Sequence, residues 1–460
     1  VTRIGTLGFE LGMPTEATAR KLYDELDFQR AVQAYLWGLT AVGVAQHIEG
    51  LIHDTGAQSG DIALYDDYRS KSVGLAYNNN TPYLTGYIDL TLAGPVVIDY
   101  PAGPSAGAVI DLWERPVADV GLPGADRGQG ARYLLIGPGQ DALEDTEGYR
   151  VIHSRTLKNG FFLRTLDPDR TKAKALRESV HIYPYSQRDN PPHRDVLLPK
   201  EDGDLLNQGQ PRGLAFWELL SKTLAAEPGE DRDRFFMAML KPLGIEAGKA
   251  FAPDERQKSI LMEAAHVGEA MAKTLAFRPR VDGIRYRADS HWENAIAPWF
   301  TVDQDEGNST QFDERNALYY VAYGMSNGAV SKIAGVGQAY VAAYRDALGM
   351  PFDGSQSYVL RVPADPPAKL FWSVSLYDLD TRCIIQNETN MPDLVSLQDL
   401  EQNSDGSVDI YMGPHSPAEH EKNWIQTVPG HGWYAYFRLY GPTQEYFDRS
   451  WAIPDIETAG

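Results

Sequence analysis

The sequence predicts a mainly β protein with α insertions, in which two β regions flank a helical one. Three observations carry this. Short β-rich runs divided by Gly, Pro and Asp clusters recur over residues 83–166 and again over 358–440. Much of 169–350 carries apolar residues at the helical period. The two β blocks also share a pattern, since Tyr100-Pro101-Ala102-Gly103-Pro104 and Val362-Pro363-Ala364-Asp365-Pro366 each precede a strand at the same spacing.

Residues 1–14 are Gly-rich and read as extended. From Thr15 the pattern turns helical. Asp27 suits a cap for a helix carrying Phe28, Val32, Tyr35, Leu36, Leu39 and Val42, with its end near Asp54-Thr55-Gly56. The first β block follows as Tyr83–Leu90, Pro95–Tyr100, Ala108–Trp113, Arg132–Gly137, Tyr149–Thr156 and Phe161–Leu166. Such regular spacing indicates a sandwich or barrel, not βαβ units. In the middle region, Glu255–Phe277 and Ala329–Leu348 carry the clearest helical periods, and Pro191-Pro192, Pro211 and Pro228-Gly229 punctuate it. The second β block comprises Tyr358–Val362, Phe371–Tyr377, Val408–Met412 and Trp433–Tyr440. In it Trp372, Val374 and Leu376 alternate with Ser373 and Ser375, as on a half-buried strand. The likeness between the blocks continues. A strand ends in Gly137-Pro138 and another in Gly413-Pro414, and Thr156, Gly160 and Arg164 match Thr427, Gly432 and Arg438. This reads as an internal duplication of one β-sandwich unit, against the plainer reading that strand–Pro–strand texture recurs in any all-β region. The chain then divides into 1–168, a helix plus β unit; 169–350, a helical connection; and 351–460, a second β unit.

Composition narrows the partners. Lys plus Arg number 42 and Asp plus Glu 63, a net charge of −21, so neither a nucleic acid nor an anionic membrane surface is an expected partner. At 43% hydrophobic residues the chain can fill a core, which excludes global disorder. No apolar run is long enough to span a bilayer. The lone Cys383 excludes an internal disulfide and thiolate-based metal clusters.

Longer motifs carry a family resemblance. In the first half they are Leu75-Ala76-Tyr77-Asn78-Asn79-Asn80-Thr81-Pro82-Tyr83, Gly94-Pro95-Val96-Val97 and Asp119-Val120-Gly121-Leu122-Pro123-Gly124-Ala125-Asp126-Arg127-Gly128. In the second they are Phe371-Trp372-Ser373-Val374, Asp405-Gly406-Ser407-Val408-Asp409-Ile410-Tyr411, Asn423-Trp424-Ile425-Gln426-Thr427-Val428-Pro429-Gly430 and Arg438-Leu439-Tyr440-Gly441-Pro442. Together they resemble the bacterial proteins that pair a DUF1254 domain with a C-terminal DUF1214 domain. The resemblance implies two β-sandwich, jelly-roll-like domains joined by a helical region, and often export behind a leader. It implies no established reaction. One departure stands out: Asn80 stands where the family pattern resembles an Asp.

Several constellations offer chemistry. Gly324-Met325-Ser326-Asn327-Gly328 fits G-x-S-x-G after the apolar run Leu318–Tyr323, with Asp353 or Asp378 and then His415 or His431 in triad order. Against it, no βα pattern surrounds the motif and a glycine-rich chain matches it by chance. His415 and His420 with Glu419 or Glu421 offer metal ligands, but Pro414 and Pro417 forbid a helix there, and a solvated acidic loop is the plainer reading. The amides of residues 78–80 suit a neutral polar ligand, or equally the Asx-turns of a loop. Arg127, Arg155, Arg164, Arg382 and Arg438 suit carboxylate or sulfate recognition, or ion pairs with the many acids. Trp113 and Trp424, near loops, suit stacking on sugar or aryl ligands. Trp372 and Trp433 read as core. Asp111, Glu114, Asp119 and Asp126 offer acid/base pairs.

The expectation is a small-molecule pocket formed by residues 78–83, Trp113 and the 119–127 loop, with help from the second β unit. Asp119, Asp126 and Arg127 are the catalytic candidates. Asn78, Asn80, Tyr83, Trp113, Arg155, Asn423 and Trp424 are the substrate-binding candidates. No metal and no cofactor is expected. The activity expected is that of a hydrolase or lyase on a polar or aryl substrate, in the periplasm or secreted, or else in the cytoplasm, with a homo-oligomer as a possible assembly. The alternatives are a non-catalytic envelope protein binding carbohydrate or another ligand, and a serine hydrolase using Ser326.

Overall fold

A computed structural model describes every residue except 142, 168, 202, 329–332, 336 and 460. The first β block folds into nine strands: β1 (Ile62–Tyr65), β2 (Tyr83–Asp89), β3 (Val96–Tyr100), β4 (Ser105–Asp111), β5 (Pro116–Gly121), β6 (Ala131–Ile136), β7 (Arg150–His153), β8 (Lys158–Thr165) and β9 (His181–Pro184). They form two sheets, ordered β1-β2-β8-β4-β5 and β9-β3-β6-β7. Alternation decides the faces. Leu84, Ile88, Val109, Phe161 and Leu163 point inward from the first sheet. They meet Val96, Ile98, Tyr133 and Leu135 of the second, giving a sandwich core.

The second block repeats this plan. Its strands are β10 (Trp292–Asn294), β11 (Gln338–Ala343), β12 (Tyr358–Val362), β13 (Ala368–Asp378), β14 (Asp393–Val395), β15 (Val408–Gly413), β16 (Trp424–Gln426), β17 (Gly432–Pro442) and β18 (Glu457–Thr458). The sheet orders are β10-β11-β17-β13-β14 and β18-β12-β15-β16, with Phe352–Asp353 also pairing on β17. Each strand of the first sandwich therefore has its counterpart nine strands later. The repetition extends to pairing sense. β6 with β7 and β15 with β16 are parallel, and the other pairs in both sandwiches are antiparallel. The internal duplication read from the sequence is present as topology.

Four longer helices fill the space between the sandwiches: α1 (Glu16–Thr55), α2 (Leu214–Ala226), α3 (Glu255–Phe277) and α4 (Phe312–Val321). The α1 helix is capped by Thr15, whose Oγ1 accepts from Thr18 N at 3.3 Å, and stops at Gly56 with φ 74°. Asp27 lies inside it and pairs with Arg256 at 2.9 Å instead of capping. The α3 helix has the bounds the sequence predicts and starts with a reciprocal Asp254–Gln257 capping box. Trp37, Leu39, Trp217 and Leu261 form one core with the outward faces of both large sheets. Tyr65, Tyr87 and Ile110 come from the first, and Ala342, Tyr377, Tyr434 and Tyr436 from the second.

The stretch 169–350, read as a helical connection, also holds three strands of the sandwiches, β9, β10 and β11. Where the sequence suggested a helix over 329–348, Gln338–Ala343 is the strand β11, paired residue by residue with β17. The rest of that stretch includes 329–332 and 336, which lie outside the described residues. A short apolar run carries no length signal to separate strand from helix, and the open edge of β17 decides the matter.

Candidate functional site

Because side chains alternate along a strand, β8 and β17 each send every second residue out of their sandwich toward the helical layer. On β8 these include Phe162 and Arg164, and on β17 Tyr436 and Arg438. The neighbouring strands add Tyr83 and Thr85 from β2 and Tyr340 from β11. The segments before β2 and after α4 complete a cavity of about 790 Å³, counting the space at its mouth. It lies between the two sandwiches, and topologically equivalent strands supply its opposite walls.

Its chemistry is polar on one side and apolar on the other. The Arg164 guanidinium sits 5.3 Å from the centre of the Tyr83 ring, and that of Arg438 lies 5.6 Å from the Tyr340 ring. Arg438 is 1% exposed. It donates to Ser375 Oγ at 2.9 Å, to the Ala76 carbonyl at 3.0 Å and to the Tyr377 hydroxyl at 2.5 Å. Arg164 donates to Gln338 Oε1 at 3.3 Å. Among the described residues, no carboxylate lies within 4.0 Å of either guanidinium. Tyr77, Thr85 and Tyr323 line the same cavity, and their hydroxyls are buried with no hydrogen-bond partner among the described residues. Leu75, Ile296, Leu318 and Met325 supply the apolar wall.

Behind that wall, the Glu114 carboxylate accepts from Gly324 N at 3.0 Å, and burial pushes its carboxyl up to about 8. His47 stacks on Tyr323 with ring centres 3.8 Å apart, and burial pushes its imidazole down to about 3. A neutral acid and a neutral imidazole thus flank Tyr323.

Two of the residues expected from sequence line the cavity. Asn78 organises its own loop, accepting from Asn80 N at 2.9 Å and Thr81 N at 3.1 Å while donating to the Tyr83 hydroxyl at 2.6 Å. Tyr83 is held there by that bond. Asn80 does not line the cavity; its Nδ2 is buried with no partner among the described residues. The others sit elsewhere. Trp113 does not border the cavity; it packs against Trp37 at 4.9 Å within the helical layer. Asp119 accepts from Gly328 N at 3.0 Å and from Asn327 Nδ2 at 3.3 Å. Asp126 accepts from Gly121 N at 2.9 Å and the Tyr133 hydroxyl at 2.6 Å, which staples the turn after β5. Arg127 is exposed in that turn with φ 52°, and Arg155 is exposed just before β8, on the side of Glu230. Asn423 closes a loop through Glu401 and Asp409, and Trp424 donates to the Gly413 carbonyl at 2.9 Å.

Sequence reasoning did not single out Tyr77, Thr85, Tyr323, Tyr340 or Tyr436, and it weighed Arg164 and Arg438 only among five arginines. The signal that could have found the pair was present: they occupy matched positions in the two repeats. The elbow at Ser326 lacks the strand it requires, because Leu318–Val321 ends helix α4 and Ser326 is buried. His431 bonds Asp378 at 2.7 Å on the second sandwich. Among the described residues, no group of three or more His, Cys, Asp or Glu is placed to hold a metal ion. No described helix is long and apolar enough to cross a membrane.

Residues 63–184 match the family model described as Protein of unknown function (DUF1254), and 337–444 that described as Protein of unknown function (DUF1214). The crystal structure of the VPA0106 protein from Vibrio parahaemolyticus has a TM-score of 0.56 at 17% identity, covering 94% of this chain and 100% of that one. An uncharacterized protein from Burkholderia cenocepacia has a TM-score of 0.41 at 13% identity, covering 96% of each chain. No curated protein matches the sequence. The Vibrio likeness is one of fold.

Proposed function

We propose that this chain, a two-domain DUF1254/DUF1214 protein, binds a small molecule in the cavity between its two sandwiches. One observation carries the reading: Tyr77, Thr85 and Tyr323, whose buried hydroxyls have no partner among the described residues, all line a single concave space. A buried polar group left unsatisfied costs roughly 1–3 kcal/mol, so three together favour an occupant that pairs with them. The mixed lining fits a ligand with a polar end and an aryl or alkyl body. The export that the family implies would place this binding in the periplasm or outside the cell, with the cytoplasm as the alternative.

Catalysis in the same cavity is a second reading, as a hydrolase or lyase. What favours it is Glu114, which bonds Gly324 N at 3.0 Å behind the cavity wall and whose carboxyl burial pushes up to about 8, toward the range of an acid/base group.

Thermal melting against a panel of neutral and charged aryl and alkyl compounds tests the first reading. At least one class raises the midpoint of the native protein, and Ala322→Phe, which grows into the cavity, abolishes the gain. A panel that leaves the midpoint unmoved rejects the reading. Turnover of a bound compound that is lost in Glu114→Gln while binding persists supports the second.

A further inference from the structure

We infer that the ligand is an organic acid, whose carboxylate is held between Arg164 and Arg438 and whose apolar body lies along Leu75, Phe162, Ile296, Leu318 and Met325. This rests on the binding reading above and specifies the ligand.

Charge points to an acid. The chain carries 63 acids against 42 basic residues, so an arginine chosen at random has acids to spare. Yet neither of these two has a carboxylate within 4.0 Å among the described residues. A guanidinium cannot shed its proton to escape burial, so its charge needs compensation from somewhere. The surrounding phenols cannot supply it. Burial pushes Tyr436 and Tyr440 up to about 12, and Tyr377 higher, so all three stay neutral at physiological pH. The acid that Arg438 does feel is Asp393. That carboxylate accepts from Asn79 N at 3.1 Å, and burial pushes it up to about 6.

Symmetry adds a second argument. Arg164 and Arg438 stand on β8 and β17, which are counterparts, and each lies beside a tyrosine from the counterpart strands β2 and β11. Each also follows an aromatic residue two positions earlier, Phe162 and Tyr436, on the same face. The same device thus reaches one cavity from both sides. A guanidinium fork matches the two oxygens of a carboxylate; Arg164 can offer one, and Arg438, whose Nη2 protons already serve Ala76 and Tyr377, adds its charge and a remaining Nη1 proton from the opposite wall. The remaining wall is apolar, which suits a hydrocarbon or aryl body and gives nothing to a bare inorganic anion.

The test uses the unmodified chain. Benzoate, 4-phenylbutyrate and octanoate are titrated beside their matched neutral amides and beside inorganic phosphate, at constant ionic strength. The expected result is that at least one acid binds about tenfold or more tighter than its amide, equivalent to about 1.4 kcal/mol. Arg164→Gln then removes that preference, read as the ratio of acid to amide affinity falling to about one. Arg164 is the first choice because Arg438 also ties Ala76 and Tyr377. The comparison of acids with amides on the native protein stands whether or not the variant folds. Equal binding of acids and amides overturns the carboxylate assignment and leaves the cavity as a binding site. Phosphate binding as tightly as the organic acids overturns the assigned apolar body. Binding by none of the probes overturns the assignment of the acid. If the broader panel is also silent, the binding reading falls with it.

Discussion

Tyr323 shows how the site is poised at the scale of single residues. It lines the cavity with a buried hydroxyl that has no partner among the described residues, and so does Thr85. Replacing such a hydroxyl with an apolar isostere removes an unsatisfied group. Tyr323→Phe and Thr85→Val should therefore stabilise the free protein by roughly 1 kcal/mol each while weakening ligand binding. Urea unfolding with and without ligand checks this; a loss of stability in the free variants contradicts it. The ionisable groups beside Tyr323 set a pH dependence. Native Glu114 keeps its proton up to about 8, whereas the unfolded chain releases it near 4.5, so stability falls as pH rises through that window. Native His47 refuses a proton down to about 3, whereas the unfolded chain takes one near 6.5, so stability also falls as pH drops through that range. Glu114→Gln should flatten the alkaline limb and His47→Gln the acid limb, read as urea midpoints against pH. Of these groups only Glu114 stood among the sequence candidates, and there as an unspecified acid near Trp113. Its importance comes from burial, which composition does not report.

At the scale of elements, helices α1 and α3 were legible because their signals are local. Thr15 and Gly56 bound α1, and the Asp254–Gln257 box opens α3. Thr15→Ala should cost about 1 kcal/mol, measured as a drop in melting temperature. Close approach is less legible. A Cβ added at Gly268 on α3 would sit 2.6 Å from the Tyr35 ring on α1, so Gly268→Ala should destabilise by roughly 1–3 kcal/mol through overpacking. A neutral outcome would mean that the two helices are less tightly apposed. The strand β11 was misread because its six residues are apolar almost throughout, and its state is fixed by pairing with β17 rather than by its own period.

For the whole molecule, the decisive feature is a shared middle layer. The outward faces of both large sheets and all four long helices belong to one apolar core. Direct bonds join the two sandwiches as well, such as Tyr377 to the Tyr77 carbonyl at 2.6 Å and Tyr68 to the Ile385 carbonyl at 2.6 Å. A chain built this way should unfold in one calorimetric transition, despite its two sandwiches. Phe161→Ala, in the core of the first sandwich, should cost roughly 3–5 kcal/mol and lower that single transition as a unit. Two separable transitions, one of them unmoved by the substitution, would show that the middle layer does not couple the halves.

The sequence by itself determined the class of the fold, the helical middle, the repeated β unit and the excess of acid, because alternation, caps, turns and charge are written within a few residues of one another. It also placed Arg164 and Arg438 at matched points of the two repeats. Only the tertiary structure decided that these two share a cavity, that Asp126 and Asn423 are loop staples, and that Trp113 is core. Such facts depend on which faces of distant strands meet across the helical layer, and no local pattern encodes that meeting.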